Sequence, residues 1–267
     1  MLTILTPTYN RRHTLPRLYQ SLQDQSSKEF EWLLVDDGST DETKQWFDAL
    51  DGNRSFVARL IKQENGGKHV AVNTGVAQAK AGWVFIVDSD DALTPDAVEI
   101  VVAALADRST QGNVAGVCFR KCDFEGRLVG QAYSGVATPF VSQPTRVGRM
   151  VAGDLAYVFR RDIMASMPFP VIDGEKFVPE LYIWNKISDQ GDIWFYLDKV
   201  IYRCDYLPDG YTRNFNEHLK RHPRGFFLFY SSQIARESDL LGKAKAAIRA
   251  IQCGIYIVRK SLLKKWA

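Results

Sequence analysis

Cysteine is scarce in this chain: Cys118, Cys122, Cys204 and Cys253 are the four present, and none forms a C-x-x-C pair. A chain of 267 residues needs no disulfides to hold a core, so a reducing, cytoplasmic setting is expected. Cys118-x-x-x-Cys122 sits in alternating sequence that reads as strand rather than half a metal site. Net charge is also small. Lys and Arg number 34 against 31 Asp and Glu, a balance of +3 that speaks against a general nucleic-acid binder. No apolar run approaches the roughly 20 residues that cross a bilayer. The N-terminus enters a strand by Leu2 without a charged leader, so export is not expected and any membrane would be met from its surface. Neither G-x-x-x-x-G-K-[ST] nor G-x-G-x-x-G after the first strand is present, which removes support for an ATPase or a dehydrogenase. His-Glu-x-x-His is missing too, so His218 and His222, four apart, read as a solvated helix face rather than a zinc site.

What is there is organised around Trp83-Val84-Phe85-Ile86-Val87-Asp88-Ser89-Asp90-Asp91. Five apolar residues, mostly β-branched or aromatic, read as a strand buried on both faces, and it runs straight into three acids. In an extended chain Asp88 and Asp90 project to one side, where they repel unless water screens them or a cation lies between. Hard divalent ions take oxygen ligands, and Mg²⁺ or Mn²⁺ held by one or two carboxylates plus substrate phosphates suits such a rim. The stretch therefore reads as a metal and diphosphate site at the carboxyl end of a central strand, where open α/β sheets bind ligands. The plainer alternative is a strand meeting water, with Asp91 or Thr94 capping a helix that begins near Pro95.

Three strand and helix units precede it. Residues 2–6 make a strand stopped by Pro7, followed by an amphipathic helix ending near Gln25. Residues 31–35 run into Asp36 and Asp37, after which Ser39 and Glu42 have the form of a capping box for a helix from about Thr40. Residues 56–61 lead to the turn Asn65-Gly66-Gly67-Lys68 and a helix, with Lys68 near a helix start that disfavours a cation unless a ligand anion is present. Such units predict a doubly wound parallel sheet. In the second half, residues 114–124 and 127–133 read as antiparallel strands around Glu125-Gly126, residues 156–159 as a short strand, 181–187 as a helix and 193–202 as a last strand. Pro179 and Glu180 suit the first turn of that helix. Residues 209–214 have the polar make-up of a lid.

The expected fold class is α/β, a mixed sheet mainly parallel in its N-terminal half and flanked by helices, with a C-terminal helical extension. Residues 1–210 form the catalytic domain, split into a nucleotide-binding half, 1–108, and an acceptor half, 109–210; residues 211–267 form the lid and a basic amphipathic tail. From Lys243 to the end there is no acid, while Ile248, Ile251, Ile255, Val258 and Leu262 recur among Lys243, Lys245, Arg249, Arg259 and Lys260. That pattern fits a helix on an anionic membrane surface; packing on the domain or a partner is the alternative.

Thr6-Pro7-Thr8-Tyr9-Asn10-Arg11, Val35-Asp36-Asp37-Gly38-Ser39-Thr40-Asp41, Asn65-Gly66-Gly67-Lys68 with Asn73-Thr74-Gly75, and Val87-Asp88-Ser89-Asp90-Asp91 occur in this order. With them the chain resembles glycosyltransferase family 2 over about its first 200 residues. The resemblance implies a Rossmann-like GT-A fold, a nucleotide-sugar donor, usually a UDP-sugar, and a Mn²⁺ or Mg²⁺ cofactor. It also implies transfer with inversion to a hydroxyl of a glycan or lipid-linked glycan acceptor. By the same resemblance Thr6, Pro7, Thr8 and Tyr9 would line the nucleotide pocket, and Asp37, with Asp36, would accept a hydrogen bond from the base. Lys68 would lie near the base or diphosphate, and Asn73 and Ser89 would belong to the donor pocket. Asp88 would face the ribose or donor sugar, Asp90 would ligate the metal with Asp88 as a second ligand, and Glu180 would be the catalytic base, with Asp173 and Glu175 as alternatives. Two other classes compete. One is a nucleotide-sugar-binding or assembly-partner protein without chemistry. The other, a sugar-nucleotide pyrophosphorylase, wants a Gly-rich basic loop after the first strand, which Thr6-Pro7-Thr8-Tyr9 does not supply.

Overall fold

Alternation decides how the first half folds. In β1 (Leu2–Thr8), Leu2 and Ile4 bury on one face and Leu5 on the other, and α1 (Leu15–Gln23) covers the first face with Leu15, Leu18 and Leu22. β2 (Phe30–Asp36) repeats the pattern, with Phe30, Trp32 and Leu34 opposite Leu33 and Val35. Strands buried on both faces need helices on both. After α2 (Thr43–Asp48) and β3 (Val57–Lys62), α3 (Lys68–Gln78) covers the second face through Ala71, Val72 and Val76. It lies so close that a Cβ on Gly75 would come within 2.1 Å of Leu5 Cδ1. β4 (Trp83–Ile86) and the two-residue β5 (Ala92–Leu93) bracket the acids, and α4 (Ala97–Arg108) packs Val98, Val101 and Leu105 into the core beside α1.

This computed structural model describes residues 1–50, 55–108, 112–135, 137–204 and 215–266, the last four by backbone alone. The second half adds β6 (Val114–Cys122), β7 (Phe140–Ser142), α5 (Pro144–Val151), β8 (Leu155–Arg160), α6 (Arg161–Ser166), α7 (Glu180–Ser188) and β9 (Asp192–Arg203). Among the described residues nine strands join in one sheet, ordered β3-β2-β1-β4-β8-β6-β9-β5, with β7 added against β9. β3, β2, β1 and β4 are parallel; β8 runs antiparallel to β4 and β6, and β9 runs parallel to β6. The expected α/β class and mixed sheet are what the chain forms. The C-terminal extension is α8 (Phe215–Arg221), α9 (Pro223–Arg236) and α10 (Leu240–Trp266). α10 packs on α9 through a small core of Leu219, Phe226 and Cys253, and Phe177 joins it 5.3 Å from the Phe226 ring. The lid expected at 209–214 lies outside the described residues.

Four local expectations are corrected. Pro7 does not stop β1, which continues to Thr8; past Leu5 the β4 pairing ends, so a residue without an N–H can extend a strand paired on one side. The capping box does not form: α2 begins at Thr43, Ser39 Oγ instead accepts from Asn10 N at 2.9 Å, and Asp41 Oδ1 accepts from Thr43 Oγ1 at 2.6 Å. Asp91 is not a cap for α4, as its carboxylate accepts from Tyr202 Oη. Residues 127–133 are not a strand and keep one bridge, Cys122 to Leu128. The fully buried Arg120 explains that loss, since its Nη2 donates to Val129 O at 2.8 Å and Gln131 O at 2.9 Å and takes over carbonyls a ladder would have used.

Candidate functional site

Because β1, β2 and β4 are parallel, the segments after them leave the same edge of the sheet, and their polar residues meet. Pro7, Thr8 and Tyr9 come from β1, Asp37 from the end of β2, Asn65, Gly67 and Lys68 from the entry to α3, and Asp88, Ser89, Asp90 and Asp91 from the end of β4. All line one cleft of about 1400 Å³, together with Lys121 of β6, Asp154 before β8 and Glu180 of α7.

Asp36 and Asp37 divide into two roles. Asp36 is fully buried; its Oδ1 accepts from Ser39 N at 2.8 Å, and its Oδ2 has no partner. Asp37 holds the Gly-rich turn. Oδ1 accepts from Gln63 Nε2 at 2.7 Å and Gly66 N at 2.8 Å, and Oδ2 accepts from Gly67 N at 2.8 Å and Asn65 Nδ2 at 3.1 Å. A carboxylate has about four acceptor positions, so this arrangement departs from the free acceptor expected of Asp37. Gly67 is required here twice over, by its φ of 96° and because a Cβ would meet Lys176 O at 2.2 Å.

Lys68 is the hub. Its Nζ lies 2.6 Å from Asp88 Oδ1 and 2.8 Å from Glu180 Oε1, joining the strand-end acids to the first turn of α7. Burial would lower its pKa, but Asp88 and Glu180 outweigh that and hold it well above the ordinary lysine value. Burial raises Asp88, yet Lys68 and Lys121 prevail and keep it below the usual carboxylate range. Its neighbours move the other way: burial and then Asp88 raise Asp90, and the same causes push Asp91 up to about 7. Tyr202 of β9 orders this loop, its Oη accepting from Asp88 N at 3.0 Å and donating to Asp91 Oδ2 at 2.7 Å. Beneath it, Lys121 Nζ sits 4.0 Å over the Tyr202 ring, held charged by Asp91, Asp88 and Asp154 against the cost of burial.

A divalent cation fits this rim, because Asp90 is a hard oxygen donor whose charge is penalised by burial and by Asp88, a penalty a cation relieves. Among the described residues no three His, Cys, Asp or Glu groups form a ready cage.

The structure separates the three base candidates. Glu175 oxygens accept from Arg224 N and Gly225 N, both at 3.0 Å, and so cap α9. Asp173 is exposed and faces a smaller groove beside Arg224 and Lys260. Glu180 alone of the three lines the cleft. Three expected pocket residues lie outside the lining of the cleft, the buried Asp36 among them. Thr6 is fully buried, with Oγ1 accepting from Trp32 Nε1 at 3.1 Å. Asn73 exchanges two 2.8 Å hydrogen bonds with the Phe169 backbone and pins that segment to α3. His218 and His222 do not share the solvated helix face expected of them: His222 is buried between α8 and α9, and its Nδ1 accepts from Lys176 N at 3.0 Å. Lys121, Asp154 and Tyr202 were missed; a lone lysine in an otherwise buried strand was the available signal for the first.

A family model described as glycosyl transferase family 2 matches residues 3–161, well over half of the chain. The chain belongs to glycosyltransferase family 2. This family 2 chain is 26% identical over 228 residues to the GalNAc(5)-diNAcBac-PP-undecaprenol β-1,3-glucosyltransferase of Campylobacter jejuni, covering 80% of this chain and 69% of the relative. Its fold is that of S. aureus TarS 1-349 in complex with UDP-GlcNAc, with a TM-score of 0.67 at 18% identity, covering 94% of this chain and 71% of the other. It also matches the mannosyltransferase PcManGT from Pyrobaculum calidifontis in complex with GDP-Man and Mn²⁺, with a TM-score of 0.61 at 17% identity over 98% of this chain and 75% of the other. The expected GT-A fold is thus the fold observed. The family 2 chain spans 54% of a Haemophilus influenzae relative and 14% of a Pasteurella multocida chondroitin synthase.

Proposed function

We propose that the chain is an inverting glycosyltransferase that moves a sugar from a UDP-sugar to a hydroxyl of a glycan or lipid-linked glycan. The observation that carries this is the Lys68 bridge, which brings a strand-end acid, Asp88, and a cleft carboxylate, Glu180, onto one cation. Residues 1–108 supply the donor half, where Pro7, Thr8, Tyr9 and Ser89 bound the nucleotide space and the turn held by Asp37 forms its floor. Asp90, with Asp88 beside it, would hold Mn²⁺ or Mg²⁺, which acts as a Lewis acid on the charge building on the leaving diphosphate.

Glu180 takes the proton of the acceptor hydroxyl as that oxygen bonds to the anomeric carbon and the bond to the diphosphate breaks. Attack opposite the leaving group in a single step inverts the centre. Lys68, with its Nζ 2.8 Å from Glu180 Oε1, orients that side chain toward the donor side. One base and one metal suffice for such a displacement; the carboxylate pair of glycosidases serves water-driven cleavage.

The same ion pair favours a second reading, a nucleotide-sugar-binding protein in which Lys68 never releases Glu180. One assay separates them: release of UDP from a panel of UDP-sugars with Mn²⁺, with and without acceptors. Glu180→Gln is expected to lower turnover by about 10²–10⁴-fold while donor binding persists, and Asp90→Ala to abolish transfer and metal-dependent UDP binding. Normal turnover in either variant overturns the assignment of that residue, and UDP-sugar binding with no turnover favours the binding protein.

Among the described residues no helix is long and apolar enough to cross a membrane. We assign instead an anionic lipid surface to α10, whose buried face is Ala246, Ala250 and Cys253 and whose opposite face exposes Ile248, Ile251, Ile255 and Val258. A second copy of this helix would meet only like charge, because no acid follows Lys243. Co-sedimentation with phosphatidylglycerol vesicles tests this: Ile251→Glu with Ile255→Glu is expected to release the full chain, and equal binding by that variant refutes the surface.

A further inference from the structure

The cleft is larger than a donor needs. Small-molecule sites hold roughly 300–1,000 Å³, and this one of about 1400 Å³ continues past Glu180 into a far half walled by α5, α9 and α10. We propose that this far half is a subsite for a phosphate group carried by the acceptor. The proposal rests on the glycosyltransferase reading and names the acceptor's chemical class.

The first support is a buried donor with nothing to bond. Gln233 of α9 is 3% exposed, lines the cleft and has an Nε2 without a partner. Asn185 Nδ2 donates to Thr145 Oγ1 at 2.9 Å, and the single proton of that hydroxyl has two acceptors, Asn185 Oδ1 and Gln233 Oε1, each at 3.1 Å. The Gln233 amide turns its carbonyl to Thr145 and leaves its NH₂ without an acceptor. A buried N–H donor without an acceptor is destabilising, and a ligand oxygen removes that cost.

The second support is charge. Arg149, Arg221, Lys245 and Arg249 line this half, and the acid lining it, Glu237, is already matched by Arg149 Nε at 2.8 Å. Among the described residues no carboxylate pairs with Arg221, Lys245 or Arg249. Forked guanidiniums and a free ammonium around a neutral amide donor are the chemistry that receives phosphate oxygens. Phe229 and Tyr230, with ring centroids 4.9 Å apart, line the same wall, where a sugar beside that phosphate would meet them.

Two kinds of acceptor carry such a group, a glycan on a lipid diphosphate and a polymer of phosphodiesters. The test uses matched pairs: an oligosaccharide free and as its 1-diphosphate on a short prenyl chain, and a glycerol phosphate oligomer with and without its phosphates. With a UDP-sugar and Mn²⁺, the phosphorylated member of one pair is expected to win by at least about tenfold in kcat/KM, and which pair responds identifies the source. Lys245→Glu, on the surface, and Gln233→Glu, which keeps the Thr145 bond, should each reduce that preference about tenfold through KM. Donor hydrolysis without acceptor should stay unchanged in both. Equal use of both members by the unaltered chain, or a preference that survives both variants, overturns the subsite. If no UDP-sugar is turned over, the glycosyltransferase reading fails instead. Calorimetric titration of the same pairs then decides the subsite: phosphate-dependent binding lost in the variants supports it, and its absence overturns it.

Discussion

Asp36 and Asp37 are adjacent, both acidic and both buried, yet replacing each by asparagine should give opposite results. In Asp37→Asn one carboxylate oxygen becomes an NH₂ that faces two donors, either Gln63 Nε2 with Gly66 N or Asn65 Nδ2 with Gly67 N. Hydrogen bonds to a charged acceptor are worth about 1.5–3 kcal/mol each. Two are lost, but one belongs to a side chain that can turn away, so the net destabilisation is about 3 kcal/mol. At about 2–4 °C per kcal/mol for a chain of this size, melting should fall by about 6–12 °C. Asp36→Asn keeps the Ser39 N bond on its oxygen and replaces an oxygen that has no partner. Its stability should stay within about 1 kcal/mol of the unaltered chain, the range of a change that removes no made hydrogen bond. Urea denaturation followed by circular dichroism measures both. Equal shifts in the two variants would refute the reasoning, because they would mean that bulk charge, not the donors around Asp37, governs this corner.

Arg120→Met should cost about 2 kcal/mol, since it leaves the carbonyls of Val129 and Gln131 without their donor; hydrogen exchange should accelerate at the amides of both residues, and unchanged protection would contradict the role given to the guanidinium. Burial, then His218, Lys260 and Arg221, push His222 down to about 4, while an unfolded histidine titrates near 6.5. The unfolded chain therefore binds a proton that the folded chain refuses, so stability is full above about pH 6.5 and falls by about 2–3 kcal/mol as pH drops towards 4. Urea midpoints across that range should vary less in His222→Asn. Gly75→Ala gains about 1 kcal/mol of helix propensity but forces a Cβ to within 2.1 Å of Leu5 Cδ1; overpacking of about 1–3 kcal/mol should prevail, seen as a lower melting temperature, and Leu5→Ala in the same chain should relieve it.

The parallel half was legible because its inner strands are buried on two faces and end in a polar turn, a pattern that Leu33, Leu34, Val35 and Asp36 carry in consecutive residues. The rim acids were legible for the same reason: nothing apolar explains Asp88 to Asp91 after Phe85. What escaped is what one distant residue does to another. Arg120 lies in a stretch that reads simply as alternating strand, and in fact it cancels a hairpin from inside. Ser39 and Glu42 satisfy the capping pattern, but Asn10, 29 residues away, takes the serine. Tyr202 lies 111 residues from the aspartate it bonds, and no local period marks it. Lys68 was read as a greeting for an anion, and its protein partners, Asp88 and Glu180, come from segments that meet only once the sheet is assembled.

The packing of the Gly67 backbone beneath Lys176 O leaves no room for a side chain between them, and Lys176 Nζ also donates to Asn65 Oδ1. The loop that ends in Glu180 therefore rests on the same turn that Asp37 holds. A guest that draws Asp37 or Asn65 into its own contacts would tug on the footing of Glu180, the proposed base, four residues further along. Occupancy on one bank of the crevice would in this way reach the other through the contact of Gly67 with Lys176.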